Sequence, residues 1–213
     1  MNVYNTLIDG VAVIEPRVFH DCRGYFFESF NQAEFQEKVG CVQFVQDNES
    51  MSTRGVMRGL HFQRPPHTQA KLVRCVRGAV LDVAVDIRKG SPTYGQHVSC
   101  LLTGRDDEGR RMAEAFREKG YAPQGCEGLP TLEGLQFFVP RGFAHGFAVL
   151  SEVAVFQYKC DNFYAPQADG GISILDRSLG IDWHIPTAEA LLSEKDTKHP
   201  VLADFQSPFT FRN

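Results

Sequence analysis

Short segments of alternating apolar and polar residues dominate the chain between about residue 11 and residue 160. Alternation with a period of two is typical of β-strands that bury one face. Gly and Pro separate the segments, which span residues 11–15, 24–30, 44–48, 71–76, 79–86, 96–102, 134–139, 146–149 and 153–158. Many short strands separated by turn residues predict a β-sandwich or barrel and argue against alternating βαβ units.

The segment 79–86 shows the clearest pattern of this kind. Leucine and valine occupy its odd-numbered interior positions and form an apolar face, whereas Asp82 lies on the opposite face. The dipeptide Arg77-Gly78 separates it from the segment 71–76, and a two-residue turn containing Gly is a common hairpin connection. The pattern therefore predicts a β-hairpin at this point.

Helical patterns are few, at 32–39, 107–119 and 188–192. The second lies in the segment 104–133, which begins with acidic residues suited to a helix N-terminus and ends in a loop rich in Gly and Pro. We interpret 104–133 as an insertion between two strands that decorates the surface, with a lid over a pocket as the alternative. No internal repeat is visible, and residues 1–213 are predicted to form a single domain.

Composition excludes several classes of protein. The 213 residues carry 22 Lys and Arg against 26 Asp and Glu, a formal net charge of −4, which argues against a nucleic-acid groove. No apolar run approaches the ~18 residues of a membrane span, and no secretory signal is visible. The six cysteines form no Cys-x-x-Cys pair, so we expect reduced thiols in a cytoplasmic protein.

One motif points to a specific barrel. Gly134-x5-Pro140-x-Gly142-x2-His145 resembles the second half of the motif of cupins, which are jelly-roll barrels. In metal-binding cupins this His is a ligand, together with a His-x-His pair and a Glu from an earlier segment. Here the earlier segment has no His-x-His, and Lys71 stands where a carboxylate ligand is expected. Because a cation repels a divalent metal, we expect no metal; a hydrogen-bonded core histidine is the alternative interpretation of His145.

Several longer strings carry a more specific resemblance. In chain order they are DCRGYFFESF, QDNES, RGLHFQ, QAKLVRCVRGAVLDVAVDIRKGSPTYG, PRGFAHGFAVLSE, YKCDNFYAP, LGIDW and LSEKD. They resemble the dTDP-4-dehydrorhamnose 3,5-epimerases over nearly the whole chain, apart from roughly 104–133 and the C-terminal end. The resemblance implies a mainly β, cupin-like jelly-roll barrel with a few short helices. It also implies a homodimer without metal or cofactor that acts on a dTDP-4-keto-6-deoxy sugar in L-rhamnose synthesis.

Epimerisation beside a ketone needs a base, an acid on the opposite face of the sugar and a group that holds the enolate charge. The resemblance implies that His61 is the base, that Asp196 orients it, that Lys71 stabilises the oxyanion and that Tyr158 is the acid. Each residue also has an ordinary alternative. His61 could be a locally hydrogen-bonded histidine, and Asp196 a solvated loop carboxylate. Lys71 could be a surface lysine, and Tyr158 an aromatic residue packed on a strand.

Substrate binding is also implied by the resemblance. The residues concerned are Arg23, Phe26, Glu28, Gln46, Asn48, Arg58, His145, Tyr164, Asp169 and Lys195. Part of the nucleotide pocket is expected to come from the N-terminal segment of the partner subunit. Arginine suits the diphosphate because its planar fork matches phosphate oxygens, although structural pairing of Arg23 and Arg58 with acidic neighbours is the alternative.

Two positions depart from the family pattern. Phe163 stands where the family has the first tyrosine of a Thr-Asp-Tyr-Tyr run, so the ring lacks a hydroxyl. Asp169 stands where a longer acidic residue is expected. Alternative functions are a single-carbon epimerase or ketoisomerase on a related dTDP-4-keto sugar, a non-catalytic sugar-binding cupin and a metal-dependent cupin enzyme.

Overall fold

The computed structural model describes residues 1–211, which form short β-strands and two α-helices. The strands are β1 (Asn2–Asn5), β2 (Ala12–Glu15), β3 (Val18–Asp21), β4 (Gly24–Phe27), β5 (Gln46–Thr53), β6 (Met57–Gln63), β7 (Lys71–Arg77), β8 (Ala79–Asp86), β9 (Arg88–Lys89), β10 (His97–Thr103), β11 (Gln136–Val139), β12 (Phe143–Val149), β13 (Val153–Cys160), β14 (Asp169–Gly171) and β15 (Phe209–Thr210). The helices are α1 (Gln32–Lys38) and α2 (Asp107–Glu118).

Two antiparallel sheets form the body of the molecule. One has six strands in the order β1-β2-β11-β7-β13-β5, and the other has five in the order β10-β8-β12-β6-β14. Their facing side chains share one core, which includes Val73 and Phe137 from the first sheet and Leu81 and Leu101 from the second. This arrangement confirms the predicted mainly β, cupin-like jelly roll.

Each of the nine predicted strand segments overlaps an observed strand, but the alternating pattern does not predict β1, β3, β6, β9, β14 or β15. The reason is clearest for β6, whose sequence is MRGLHFQ. Five of its seven residues are buried, on both faces of the strand, and Gly59 interrupts the alternation, which changes phase between Met57 and Leu60. This matters for function because β6 carries His61.

The predicted hairpin between β7 and β8 is wrong. Strand β7 pairs with β11 and β13, whereas β8 pairs with β10 and β12 in the other sheet. The chain passes between the sheets at Gly78, where φ is +75° and a Cβ would lie 2.1 Å from the carbonyl oxygen of Val153. All residues of β8 are therefore buried, including Asp82 on the face that the pattern marks as polar.

The helices at 32–39 and 107–119 are confirmed by α1 and α2, but the one at 188–192 is wrong. That stretch contains only a short 3-10 turn, Thr187–Glu189. After the turn, Leu191 forms backbone hydrogen bonds with Gly55 and Met57 at 2.8 and 3.0 Å. Pairing with this neighbouring segment replaces the bonds that would have continued a helix.

The segment 104–133 packs on the five-stranded sheet through α2, which lies against β8 and β10. The helix buries Ala113 and Phe116, and Tyr121 donates a hydrogen bond of 3.1 Å to the carbonyl oxygen of Ser99. The interpretation of 104–133 as a surface decoration, with a lid as the alternative, stays a prediction. The single domain over residues 1–213 stays a prediction, and its last two residues lie outside those described. Within residues 1–211, no helix has the length and apolar character needed to cross a membrane.

Candidate active site

A cavity with two adjoining lobes lies between the two sheets, and we call it the sheet cavity. The lobes have volumes of about 480 and 350 Å³, and both are lined by His61, Lys71, Tyr158 and Lys195. His61 belongs to the five-stranded sheet, whereas Lys71 and Tyr158 belong to the six-stranded sheet. The predicted base and the predicted acid therefore line one cavity from opposite walls.

His61 is held by a buried carboxylate. Strand β6 places it opposite His145 of β12 and Gly171 of β14. Its Nε2 lies 2.5 Å from Oδ1 of Asp196, which begins the 3-10 turn Asp196–Lys198 and is 4% exposed. Burial alone would raise the pKa of Asp196, but hydrogen bonds from His61 and Ser193 outweigh burial and keep that pKa below its usual value. An ionised carboxylate fixes Nε2 as the protonated nitrogen, so Nδ1 carries the lone pair.

Lys71 supplies a desolvated ammonium at the start of β7. Its Nζ lies 5.8 Å from the centre of the Tyr158 ring. Burial lowers the pKa of Lys71, and nearby Cys160, Asp82 and Asp169 oppose that shift through space. An ammonium in this environment interacts strongly with a developing negative charge, because little water screens it.

Tyr158 is a half-buried phenol in the middle of β13, opposite Val73 of β7 and Asn48 of β5. Burial and the proximity of Cys160 raise its pKa, and the nearby Arg58 guanidinium opposes the shift. A raised pKa keeps the hydroxyl protonated at neutral pH. The side chain is therefore available as a proton donor.

A second histidine–carboxylate pair lies in the sheet wall. The Nε2 atom of His145 lies 2.8 and 3.0 Å from the two carboxylate oxygens of Asp82, and both residues are buried. Burial raises the pKa of Asp82, while His145 and Lys71 oppose the shift. His145 also lines the sheet cavity. Sequence reasoning missed Asp82, although an acidic residue in an otherwise apolar strand is a recognisable signal.

The smaller lobe is lined by five of the ten predicted substrate-binding residues, which are Gln46, Asn48, Tyr164, Asp169 and Lys195. Tyr164 donates its backbone N–H to the side-chain oxygen of Gln46 at 2.9 Å, and its hydroxyl lies 3.4 Å from Asp169. Asp169 also forms an ion pair with Lys195. Asn48 accepts a hydrogen bond of 3.0 Å from Gln46. These contacts arrange amides, a phenol and an ion pair around one opening.

Arg58 lines the larger lobe with Ser50, Phe147 and Phe156. Its guanidinium donates to Oγ of Ser52 at 3.0 and 3.2 Å, so a neutral hydroxyl, not a carboxylate, holds it. The positive charge therefore stays available to an anionic ligand.

Three predicted residues lie away from the sheet cavity. Arg23 and Phe26 are on the hairpin formed by β3 and β4, and Glu28 follows it directly. Arg23 is exposed and pairs with Asp21 at 2.5 Å, as the structural alternative proposed. Phe26 is 70% exposed. Within one chain, the structure does not bring these residues to His61.

A second cavity, of about 760 Å³, lies beside this hairpin. It is lined by Glu28 and by residues of β2, α1 and the 104–133 segment. None of the base, acid and oxyanion candidates lines it. The sheet cavity, whose two lobes are each smaller, is therefore the candidate active site, because it contains the His61–Asp196 dyad, the Tyr158 phenol and the Lys71 ammonium.

Comparison with known proteins agrees with the geometry. The profile of the dTDP-4-dehydrorhamnose 3,5-epimerase family matches residues 5–117 and 126–204. The epimerase of Shigella flexneri is 48% identical over 197 residues, which cover 92% of this chain and 93% of that protein. The crystal structure of the Elizabethkingia anophelis enzyme matches with a TM-score of 0.79 and 45% identity, covering 96% of this chain and 97% of that one.

A second solved structure adds a ligand. It is the dTDP-6-deoxy-D-glucose-3,5-epimerase of Legionella pneumophila in complex with dTDP-4-keto-L-rhamnose. The match has a TM-score of 0.81 and 40% identity, and it covers 100% of this chain and 99% of that one. The family match and the high identity over nearly the whole chain lead to one conclusion: this chain belongs to the dTDP-4-dehydrorhamnose 3,5-epimerase family.

Proposed function

We propose that the protein epimerises C3 and C5 of dTDP-4-dehydro-6-deoxy-D-glucose and so forms dTDP-4-dehydro-L-rhamnose, without a cofactor. One observation carries the proposal. A histidine–aspartate dyad and a protonated phenol face one cavity from opposite sheets, and an ammonium lies beside them. Inversion beside a ketone requires such an arrangement, because the proton leaves one face of the sugar and returns to the other.

Proton abstraction falls to His61. Asp196 accepts a hydrogen bond from the N–H group at Nε2. The lone pair on Nδ1 is therefore free to take the proton from C5 or C3 of the sugar. The resulting imidazolium forms beside an ionised carboxylate, which stabilises its charge. The electron pair of the broken C–H bond moves toward the C4 ketone and produces an enolate.

Lys71 stabilises this enolate. Its ammonium stands near Tyr158, and among residues 1–211 its interactions with the carboxylates of Asp82 and Asp169 act through space, without a direct ion pair. The charge is thus not neutralised by a direct ion pair and acts on the C4 oxygen as negative charge develops there.

Tyr158 completes the inversion by giving its phenolic proton to the opposite face of the same carbon. The phenol is then reprotonated, and His61 releases the proton it took, both by exchange with water. The same sequence repeats at the second carbon. Because both groups return to their starting states, no external oxidant or reductant is needed.

The remaining residues of the cavity orient the substrate in this proposal. Asp82 fixes the ring of His145 in the cavity wall. Arg58 is available for the diphosphate, and the Asp169–Lys195 ion pair with Tyr164 lies at the smaller lobe. Together they supply hydrogen bonds and charge without adding a second base.

Product stereochemistry tests the proposal. The purified protein is incubated with dTDP-4-keto-6-deoxy-D-glucose, and the product is identified by NMR. We expect dTDP-4-keto-L-rhamnose, inverted at both carbons. A product inverted at one carbon would support a single-carbon epimerase, and a ketose would support a ketoisomerase. Ligand-induced stabilisation without turnover would support a non-catalytic sugar-binding protein.

We expect the fall of kcat/KM at high pH to follow deprotonation of the Lys71 ammonium. Burial lowers the pKa of Lys71 and raises that of Tyr158, so burial moves loss of the ammonium proton to lower pH and loss of the phenol proton to higher pH. Oxyanion stabilisation is present below the Lys71 pKa and is lost above it. We expect Lys71→Arg to move the alkaline limb of kcat/KM to higher pH, because a guanidinium stays protonated.

Lys159→Arg is the matched control for this profile. Lys159 lies on β13 and pairs with Asp47 outside the sheet cavity, so its replacement should leave the limb in place. An alkaline limb that stays unchanged in Lys71→Arg would remove Lys71 from this role.

We also propose a homodimer in which each hairpin of β3 and β4 completes the partner's site. The hairpin pairs with neither large sheet and exposes Phe19, Tyr25 and Phe26 to solvent. Exposed aromatic side chains of this kind are typical of protein interfaces. The hairpin's predicted substrate contacts, which include Arg23, do not reach His61 of their own chain.

Mixed dimers provide the test. We expect the variant His61→Ala and the double variant Arg23→Ala/Phe26→Ala each to lose activity alone. Co-expressed at equal levels, they should form dimers in which one site has both an intact base and an intact hairpin. Random pairing restores about a quarter of the sites. Recovery of no activity, with mixed dimers present by mass spectrometry, would show that the hairpin does not serve the partner.

A further inference from the structure

A second imidazole flanks the catalytic carboxylate. His199 lies one turn beyond Asp196, and its Nε2 is 3.7 Å from the same Oδ1 that bonds to His61. The His199 side chain is 12% exposed. Its Nε2 is buried, and it makes no hydrogen bond with any residue of 1–211. A buried ring nitrogen without a partner is costly, so its placement here needs an explanation.

The neighbouring strand leaves room for this ring. A Cβ at Gly171 of β14 would lie 2.6 Å from Nε2 of His199, and Gly171 pairs directly with His61. The two imidazole rings consequently approach with their centres 5.7 Å apart, edge to face. Any side chain at residue 171 would force His199 away from the dyad.

We infer that His61, Asp196 and His199 form a site for a divalent transition-metal ion such as Zn²⁺, and that the ion inhibits the enzyme. The two Nε2 atoms and Oδ1 all lie within 4.8 Å of one another. Two imidazoles and a carboxylate are ligands that Zn²⁺ binds, with water in the fourth position. The Asp-x-x-His spacing places one ligand at the start of the 3-10 turn Asp196–Lys198 and the other directly after it.

The fit requires a small rearrangement. Tetrahedral ligands about 2.0–2.1 Å from Zn²⁺ lie roughly 3.3 Å apart, whereas Oδ1 is 2.5 Å from His61 and 3.7 Å from His199. The first separation has to widen and the second to shorten, and the two Nε2 atoms, which lie within 4.8 Å of each other, have to reach the same spacing.

Two lysine cations also line the cavity. Asp169 neutralises Lys195, whereas the ammonium of Lys71 opposes a divalent ion, so binding depends on the Asp196 carboxylate together with the two imidazoles. Two nitrogen ligands favour Zn²⁺ or Co²⁺ over Mg²⁺ or Ca²⁺.

Inhibition follows from the tautomer of His61 and rests on the proposed function. In the dyad, Nε2 is protonated and Nδ1 carries the lone pair that acts as base. A neutral imidazole that binds a metal through Nε2 holds its proton on Nδ1. The ion therefore removes the lone pair that the reaction needs.

Metal titration without substrate tests the site. Chelator-treated protein is titrated with Zn²⁺ by calorimetry and with Co²⁺ by absorption spectroscopy. We expect one ion per chain and a Co²⁺ spectrum without thiolate charge-transfer bands, which separates this site from the exposed Cys22 and Cys41. His199→Gln should weaken binding by at least about 100-fold, since loss of only an outer-shell partner costs 10–100-fold.

The control is His184→Gln. His184 forms an exposed pair with Asp182 at 3.3 Å, so it tests for adventitious surface binding and should leave the affinity unchanged. Failure to bind an ion, or equal binding by His199→Gln, would overturn the metal site whatever the activity of the protein. If Zn²⁺ binds as expected but epimerisation proceeds unaffected at saturating Zn²⁺, the inhibitory role is wrong.

Discussion

Replacing His61 by alanine is expected to abolish exchange of the C3 and C5 protons with solvent and to lower kcat by about 10²–10⁴-fold, the usual contribution of a general base. The reason is structural. Asp196 holds Nε2 at 2.5 Å, which leaves Nδ1 as the lone-pair nitrogen. The other histidine that lines the cavity, His145, has a side chain that is only 7% exposed, against 29% for His61, so it is less accessible to a substrate. Exchange is measured by the loss of the C3 and C5 proton signals in deuterated water.

His67→Ala is the matched control for this variant. His67 lies six residues further along the chain, and it lines neither lobe of the sheet cavity. It should therefore retain the exchange rates of the wild type. Wild-type exchange in His61→Ala, with an unchanged folded structure by circular dichroism, would contradict the assignment of the base.

Replacing Tyr158 by phenylalanine has a different expected result. The base remains, so His61 still removes a proton and can return a solvent-derived proton to the same face. Exchange therefore continues, whereas net inversion falls by about 10²–10⁴-fold because the opposite face lacks its donor. Deuterium incorporation into unreacted substrate, compared with the yield of inverted product, separates the two steps.

Tyr94→Phe is the control for loss of a hydroxyl. Tyr94 lies in the turn between β9 and β10, is 37% exposed and lines neither lobe of the cavity. It should invert the substrate at the wild-type rate. If Tyr158→Phe also did so, another group would have to be the acid.

The parts of the site that sequence predicts best are those in long recognisable strings. His61, Lys71 and Tyr158 lie in such strings, and the structure places all three around one cavity. Asp196 has charged sequence neighbours that suggest a solvated loop, yet it is 4% exposed. Its burial depends on a contact with a residue 135 positions away, which no local pattern encodes.

The errors have a common physical cause, because local patterns do not reveal which strands pair. A turn at Gly78 fits a hairpin as well as a crossing between sheets, and only pairing with β10 to β13 decides between them. The same uncertainty hid Asp82. Alternation marks its face of β8 as polar, but that strand lies inside its sheet and is covered on both sides.

The hairpin residues show a further limit of both sequence and single-chain structure. The family resemblance implies that Arg23 and Phe26 contact the substrate. In the structure they lie on the exposed hairpin of β3 and β4, away from the sheet cavity. Their proposed role requires a second copy of the chain. His199 shows the opposite limit. Nothing in its sequence context predicts a role, and its proposed role as a metal ligand follows from its position beside Asp196.

Deuterium content of the product tests the central claim most directly. The wild-type protein converts dTDP-4-keto-6-deoxy-D-glucose in deuterated water, and NMR and mass spectrometry locate the label. A dyad and a phenol that act in turn on both carbons predict deuterium at C3 and at C5 of a product with the L configuration. Inverted product that retains its original hydrogen at either carbon would contradict the account.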